Sequence, residues 1–481
     1  MSYEAAVASM FALGHELAQT PSHKFDLAHM RVLLAAMNHP ERTFPSVLIA
    51  GTNGKGSTAA TLASILCASG FKTGLYTSPH LMRINERIRV NGEEISDDGF
   101  AALHSDVDQV AEKLVEQGYL PWHPSFFEMM TAIAFAHFAR ARVEIAVLEV
   151  GMGGRLDATN VVEPLLSVIT DISLDHQKFL GNTVGAIARE KVGIIRPGGV
   201  VVTLPQQPEA NDVIGNTILD LGARGVSAVQ YVPPVSPGSA DLMASAEKRE
   251  PSTTGNTGED TGKSKVKFLY RYPLQVMGEQ ILVETQLVGR HQLRNIALAI
   301  ATAEELSKLI VVEPRTPSSG VLAEITPQSI ERGIRDTRWP GRFQVISKPG
   351  APDIILDVAH NPAGAWALRS ALSERYGDRP LIFVFAAMRD KAISEMTEIL
   401  FPVAERVIAT RAENPRSASP EEIQEAGSRT GTEIETVADV EAALERARHL
   451  ARIAPRPEAA IVVTGSIYLV GEAMRALGVK A

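Results

Sequence analysis

The sequence predicts an α/β protein of two domains. Three observations carry that expectation: the 481-residue length, short apolar runs alternating with longer helical stretches, and a second such series that begins after a break rich in Pro and Gly. At roughly 100–200 residues per domain the length calls for two domains or more, each with its own core. Continuous apolar strands belong to parallel sheets covered on both faces, and their alternation with helices is the pattern of α/β architecture.

In the first series the strand candidates include 46–50, 144–150, 165–170 and 200–204, with helical segments such as 57–69, 126–139 and 183–191 between them. Residues 233–265 (PPVSPGSADLMASAEKREPSTTGNTGEDTGKSK) interrupt the rhythm with Pro, Ser, Gly, Thr and charge. Composition predicts a disordered insertion there, inside the domain, because strand-like runs at 266–270 and 281–287 follow directly. The second series starts after Trp339-Pro340-Gly341-Arg342, with strands expected at 342–346, 354–357, 381–385, 406–409 and 460–463 and helices at 365–376 and 437–451. The expected division is 1–336 and 337–481, and no internal repeat is evident.

Charge and cysteine content narrow the class. With 47 Lys+Arg against 56 Asp+Glu the net charge is −9, which argues against a broad nucleic-acid or anionic-membrane binder. Cys67 is the one cysteine, so no intrachain disulfide and no cysteine metal cluster can form, and a reducing compartment fits. The stretch MSYEAAVASMFALG lacks the basic lead of a signal peptide, and no apolar run approaches the ~20 residues of a membrane span. A cytoplasmic enzyme is expected.

The strongest chemical signal is SVLIAGTNGKGST, residues 46–58. A buried strand enters a Gly-rich turn and then a helix. Such a turn aims successive N–H groups at phosphate oxygens, the helix N-terminus adds partial positive charge, and Lys55 can reach the outer phosphates. Ser57 or Thr58 is placed to face a phosphate or its Mg²⁺. The spacing departs from the usual Gly-x4-Gly-Lys-Ser/Thr loop, since Ile49 holds the first glycine position and Gly56 separates the lysine from the serine.

Three further groups follow. Glu149 stands near the end of an apolar strand, where α/β sheets gather ligands, and either a Mg²⁺ ligand or a salt-bridging role suits it. His176 follows the next strand, so both could face one crevice, although a lone histidine is more often structural. Lys191 closes a helix, where satisfying the dipole explains it as well as function does.

Together these segments resemble the folylpolyglutamate synthase/dihydrofolate synthase family of the Mur ligase superfamily. The carrying motifs are GTNGKGST (51–58), TSPHL (77–81), RINERIRVNG (83–92), FFE (126–128), LEVGMGGRLDATN (148–160), LDH (174–176) and EKVGI (190–194). GRHQLRN (289–295), WPGRF (339–343), DVAHNP (357–362), MRDK (388–391) and GSIYLVGE (465–472) come later, all in family order. The resemblance implies a P-loop, Mur-ligase-like ATPase domain followed by a smaller Rossmann-like domain. The implied activity is ATP-dependent addition of L-glutamate to dihydropteroate or folate through an acyl phosphate.

Carried over by residue, Gly54, Lys55, Gly56 and Ser57 look like the ATP phosphate loop, and Asn295, Arg342, Asp357 and His360 like ATP contacts from the far side. Arg342 would approach the γ-phosphate and Asp357 the ribose. Ser78, Glu149 and His176 match the family's Mg²⁺ ligands, with two ions expected, and Lys191 matches its carbamylated lysine. Lys55, Lys191, His176 and Arg342 are thus the catalytic candidates. The pterin pocket would involve Phe25, Asp26, Leu27, Ser125, Phe126, Phe127, Glu128, Leu156, Asp157 and Ala158, with plain core the alternative for both Phe126 and Phe127, and equally consistent with Phe127. Val358 replaces a usual glycine and Met152 a usual leucine. The resemblance leaves open one or both of the synthase activities and another Mur-type amino-acid ligase. A monomer that binds only these small molecules is expected.

Overall fold

The computed structural model describes residues 1–14, 27–234, 270–310, 323–377, 379–453 and 459–479. Phe25 and Asp26, and all but the first two residues of the 233–265 insertion, lie outside them.

The first sheet has eight strands: β1 (Ser46–Ala50), β2 (Thr73–Tyr76), β3 (Ile88–Val90), β4 (Glu93–Glu94), β5 (Ile145–Glu149), β6 (Leu166–Ile169), β7 (Val200–Thr203) and β8 (Arg224–Ser227). Their order is β4-β3-β2-β5-β1-β6-β7-β8. From β2 to β8 all neighbours are parallel, while β3 and β4 add an antiparallel edge. Strands β1, β5 and β6 are buried at every residue, which is why they read as unbroken apolar runs. One core fills the space between this sheet and helices Leu27–Ala36, Asp97–Glu116 and Phe126–Ala141; the other lies under helices Lys55–Ala68, Arg290–Leu309 and Pro327–Asp336.

A two-stranded hairpin, β9 (Tyr270–Val276) and β10 (Glu279–Thr285), turns at Met277-Gly278, both at positive φ. The expected strand at 281–287 is therefore the second arm of this hairpin, begun two residues earlier. Only residue 270 of the expected 266–270 run is described, and it opens the first arm.

The second sheet contains β11 (Gln344–Ile346), β12 (Ile354–Leu356), β13 (Leu381–Phe385), β14 (Arg406–Ala409), β15 (Ile434–Thr436) and β16 (Ala460–Thr464), in the order β11-β12-β16-β13-β14-β15. Only β11 runs antiparallel. Helices Pro362–Tyr376 and Ile393–Leu400 cover one face, and Val440–Ile453 and Ile467–Leu477 the other. The protein is thus a two-domain α/β molecule.

Candidate active site

Both sheets present their carboxyl ends to one cavity of about 560 Å³. That is where open α/β sheets bind ligands. From the first sheet come the loops after β1, β2, β5 and β6; from the second, the loops after β12, β13, β14 and β16.

The loop after β1 is held from below by its neighbour. The N–H groups of Thr52 and Asn53 donate to the Asp171 carbonyl at 2.8 and 3.1 Å, and Thr52 Oγ1 and Asn53 Nδ2 reach Ser173. Gly54, at φ +86°, then caps the helix Lys55–Ala68. A Cβ at Gly54 would lie 2.2 Å from Asn295 Oδ1, so the left-handed turn and the helix Arg290–Leu309 both demand glycine. Gly56 lies against Trp339 in the same way, with a Cβ 3.0 Å from the indole. Ser57 is buried at the helix start and borders the cavity.

The basic groups sit in one well. Lys55 Nζ donates to the carbonyls of Gly51 and Thr52 at 3.2 Å each, and Lys191 Nζ to that of Gly51 at 2.7 Å. Burial lowers both lysines, Lys55 against the pull of Glu149, and Lys191 to about 7 with Lys55 adding repulsion. Burial also lowers Arg342, despite Asp357 and Glu149. Burial pushes the Glu149 carboxyl up, against Lys55 and against the Ser78 N–H that reaches Glu149 Oε2 at 3.2 Å. Lys55, Lys191 and Arg342 share the cavity wall with carboxylates, Glu149, Asp157, Asp175 and Asp357 among them.

Ser78, Glu149, His176 and Lys191 all border the cavity. Among the described residues no three His, Cys, Asp or Glu side chains converge as a metal cage. A donor set of one carboxylate, one hydroxyl and one imidazole suits a hard ion that completes its shell with phosphate and water. Burial lowers His176 to about 3, with Lys391 adding to the effect. Its ring is therefore neutral at neutral pH.

The far-side candidates also meet here. Asn295 Nδ2 donates to Gln292 Oε1 at 2.9 Å. Both oxygens of Asp357 accept main-chain N–H groups, from Phe343 and Ala359 at 2.9 Å. His360 Nδ1 pairs with the Val358 carbonyl at 2.8 Å, and burial lowers its ring to about 4. Val358, whose place a glycine usually takes, has no positive φ, so valine fits the backbone there; its N–H donates to the Gly341 carbonyl at 3.0 Å.

Of the pterin candidates, Leu27, Ser125, Phe127, Glu128, Leu156, Asp157 and Ala158 line the cavity. Phe126 does not. Its ring is core, stacked on Phe11 at 5.8 Å with Arg87 over it at 5.2 Å. Adjacent residues on a helix point about 100° apart, so only one of the two phenylalanines can face the cleft. Ser125 and Glu128 also form a capping box, and Asp157 caps the turn Ala158–Val161 through Thr159.

The sequence reading missed one polar hub. Asp175 accepts from Lys391 Nζ at 2.6 Å and from Asn361 Nδ2 at 3.2 Å, while Asn361 also donates to Asn53 at 3.0 Å. Four cavity-lining residues of the adjoining wall, Asp171, Pro205, His291 and Arg294, were missed too. The DVAHNP and MRDK motifs contain Asn361 and Lys391, but nothing in the sequence gives the distance between residues so far apart.

Residues 341–467 match the family model described as Mur ligase, glutamate ligase domain, which places the second domain in that class of ligases. The chain is 32% identical over 453 residues to the dihydrofolate synthase/folylpolyglutamate synthase of Bacillus subtilis, covering 94% of each. It is 33% identical to the folylpolyglutamate synthase of Lacticaseibacillus casei, covering 98% of this chain and 97% of that one. Among solved structures, Mycobacterium tuberculosis folylpolyglutamate synthase complexed with ADP and AMPPCP superposes with a TM-score of 0.78 at 29% identity, over 99% of both chains. An FPGS–AMPPCP–folate complex gives 0.77 at 30% identity, over 99% of this chain and 100% of that one. The chain belongs to the dihydrofolate synthase/folylpolyglutamate synthase family.

Proposed function

We propose that this protein is an ATP-dependent ligase that adds L-glutamate to dihydropteroate and to folates, a bifunctional dihydrofolate synthase/folylpolyglutamate synthase. The observation that carries the reading is the cavity bordered by the glycine loop, the partly buried cations Lys55 and Arg342, and the apolar wall of Leu27, Met30, Phe127 and Leu156. A nucleotide triphosphate, an aromatic acid and an amino acid can meet there.

The chemistry sets an electrostatic problem. A substrate carboxylate must approach the γ-phosphoryl group of ATP, anion against anion. Lys55 and Arg342, desolvated and pre-positioned, neutralise that charge where it develops. The carboxylate oxygen attacks phosphorus and ADP leaves; the amine of glutamate then attacks the acyl carbon and phosphate leaves. Mg²⁺, held by Ser78, Glu149 and His176, would supply further charge neutralisation. Lys191 would join them as a carbamate. A carbamate forms only from an uncharged amine, and burial brings Lys191 to about 7, so much of it is neutral near neutral pH.

Asn295, Asp357 and His360 would bound the nucleotide, and the glutamate ligase domain would hold the incoming amino acid. We place the domain boundary at 336/337. The helix Pro327–Asp336 belongs with the first domain, because Gly333 packs on Ile65 and accepts from Ser64 Oγ at 2.7 Å. A cytoplasmic monomer is part of the proposal; among the described residues no helix is long and apolar enough to cross a membrane.

The test is phosphate release from ATP with dihydropteroate, tetrahydrofolate or a diglutamylated folate, each with and without glutamate. Release that requires both acid and glutamate supports the ligase. Acceptance of the first acid alone, or of the other two alone, would reduce the reading to one synthase activity. Release without glutamate dependence would refute it.

A further inference from the structure

Residues 78–83, between β2 and β3, join the two halves of the cleft. At one end the Ser78 N–H meets Glu149. At the other, the N–H groups of Leu81, Met82 and Arg83 converge on the buried Glu86 carboxylate at 2.7, 2.8 and 2.6 Å. Between them His80 Nδ1 accepts from Arg87 Nε at 2.8 Å. Hydrogen bonds to a carboxylate are among the stronger ones, so the segment is held at both ends.

Its outer face rests on the other domain. Leu81 and Met82 pack against the apolar layer that contains Val358, Leu469, Val470 and Met474. A Cβ on Gly341, the residue before Arg342, would stand 3.3 Å from Leu81 Cδ2 and 3.1 Å from Val358 Cγ1. The tightest contact is with the helix Ile467–Leu477. A Cβ on Gly471 would stand 2.0 Å from the Leu81 carbonyl oxygen and 2.8 Å from its carbon. Gly471 has no positive φ, and glycine is a poor helix former. Close approach of two backbones is what explains it.

We propose that Gly471 is a positioning residue. Its contact with Leu81 sets the register of the loop 78–83 against the second domain, and hence of Ser78 against Arg342. Those two residues ride on opposite partners of this seam, and a small cavity of about 40 Å³ bordered by Ser78, Glu149, Arg342, Leu81 and Ile467 lies directly behind it. A side chain at 471 must displace main chain, not a flexible tip, so the strain passes to the phosphate end of the cleft. The inference rests on the phosphate-site reading proposed above.

The test compares Gly471→Ala with Gly215→Ala in the full chain. Gly215 lies within the helix Pro208–Asp220, and a Cβ there meets nothing within 4 Å. Without ligand, amide hydrogen exchange of residues 78–83 should accelerate roughly ten- to hundredfold in Gly471→Ala and stay parental in Gly215→Ala. Mg·AMPPCP, followed by intrinsic tryptophan fluorescence, to which Trp339 beside Gly56 contributes, should bind about tenfold more weakly, and KM for ATP should rise by more than kcat falls. A merely structural glycine would lower the unfolding temperature while loop exchange and nucleotide affinity stay parental, and that result overturns the proposal. Should Gly471→Ala fail to fold, Leu81→Ala, which keeps the carbonyl beside Gly471 but removes the side chain that rests against Gly341, tests the apolar half of the same seam, with the same expected signs and the same overturning result. A parent that does not bind Mg·AMPPCP would refute the phosphate-site reading, while loop exchange still decides the seam.

Discussion

Two lysines, Lys191 buried and Lys55 partly so, share one carbonyl oxygen, that of Gly51, yet they are set up for different tasks. Lys55 begins a helix and faces the polyanion end; Lys55→Ala should leave a folded protein with kcat reduced by about 10²–10³, since it removes a pre-positioned charge. Lys191, brought to about 7 by burial, is the one that the proposed reading makes a carbamate. Lys191→Ala should abolish glutamate-dependent phosphate release, with partial recovery on adding formate or acetate; no recovery at any concentration would remove the carbamate from the reading. His291 gives a pH signature. Burial, with Arg342 adding to it, lowers its ring from 6.5 to about 4. Above 6.5 the ring is neutral folded or unfolded and costs nothing; as pH falls from 6.5 towards 4 only the unfolded chain gains the proton, so stability falls with pH by up to about 3 kcal/mol. Urea unfolding at pH 7 and pH 4.5 should therefore show a smaller loss for His291→Gln than for the parent; an equal loss would mean His291 does not carry this titration.

At the scale of elements, the glycine loop shows how a short turn depends on distant packing. Gly54→Ala meets two penalties at once, a left-handed backbone and a Cβ 2.2 Å from the Asn295 amide, so Asn295 must move. The strain is of order 1–3 kcal/mol, enough to raise KM for ATP about tenfold or more, measurable by initial rates; an unchanged KM would show that the loop adapts. The same elements show what the sequence made legible. β1, β5 and β6 were readable because both faces are covered, leaving no polar residue to blur the run. β3, β4 and β8 were not, because each lies at or next to the sheet edge, is short and carries charge or glycine. In the site, residues next to one another in a motif were legible and residues meeting across domains were not. GTNGKGST announces its own turn, whereas Asp175 gives no sign of the lysine that it accepts from. For Phe126 and Phe127 the sequence left pocket and core both open, and the helix turns the two rings to different surroundings: Phe126 is core and Phe127 borders the cavity.

For the whole molecule, the Asp175 hub is the polar counterpart of the apolar seam at Leu81. Lys391 and Asp175 are 9% and 8% exposed and 2.6 Å apart, one on each domain. Burial works against the Asp175 carboxylate, but His176, Lys391 and His360 outweigh it and hold it well below the usual carboxylate range. Removing one partner leaves the other charge buried and unpaired, a cost of about 3–5 kcal/mol that the molecule can avoid by opening the cleft to water. Lys391→Met should accordingly enlarge the radius of gyration measured by small-angle scattering without ligand, whereas Asp175→Asn/Lys391→Met, which leaves no orphan charge, should return most of the way to the parent. Since groups from both domains border the cavity proposed to take the nucleotide, Mg·AMPPCP with a pterin acid should compact parent and double variant alike and should compact Lys391→Met least. Equal dimensions for all three proteins, free and bound, would show that neither the ion pair nor the nucleotide governs how the domains meet.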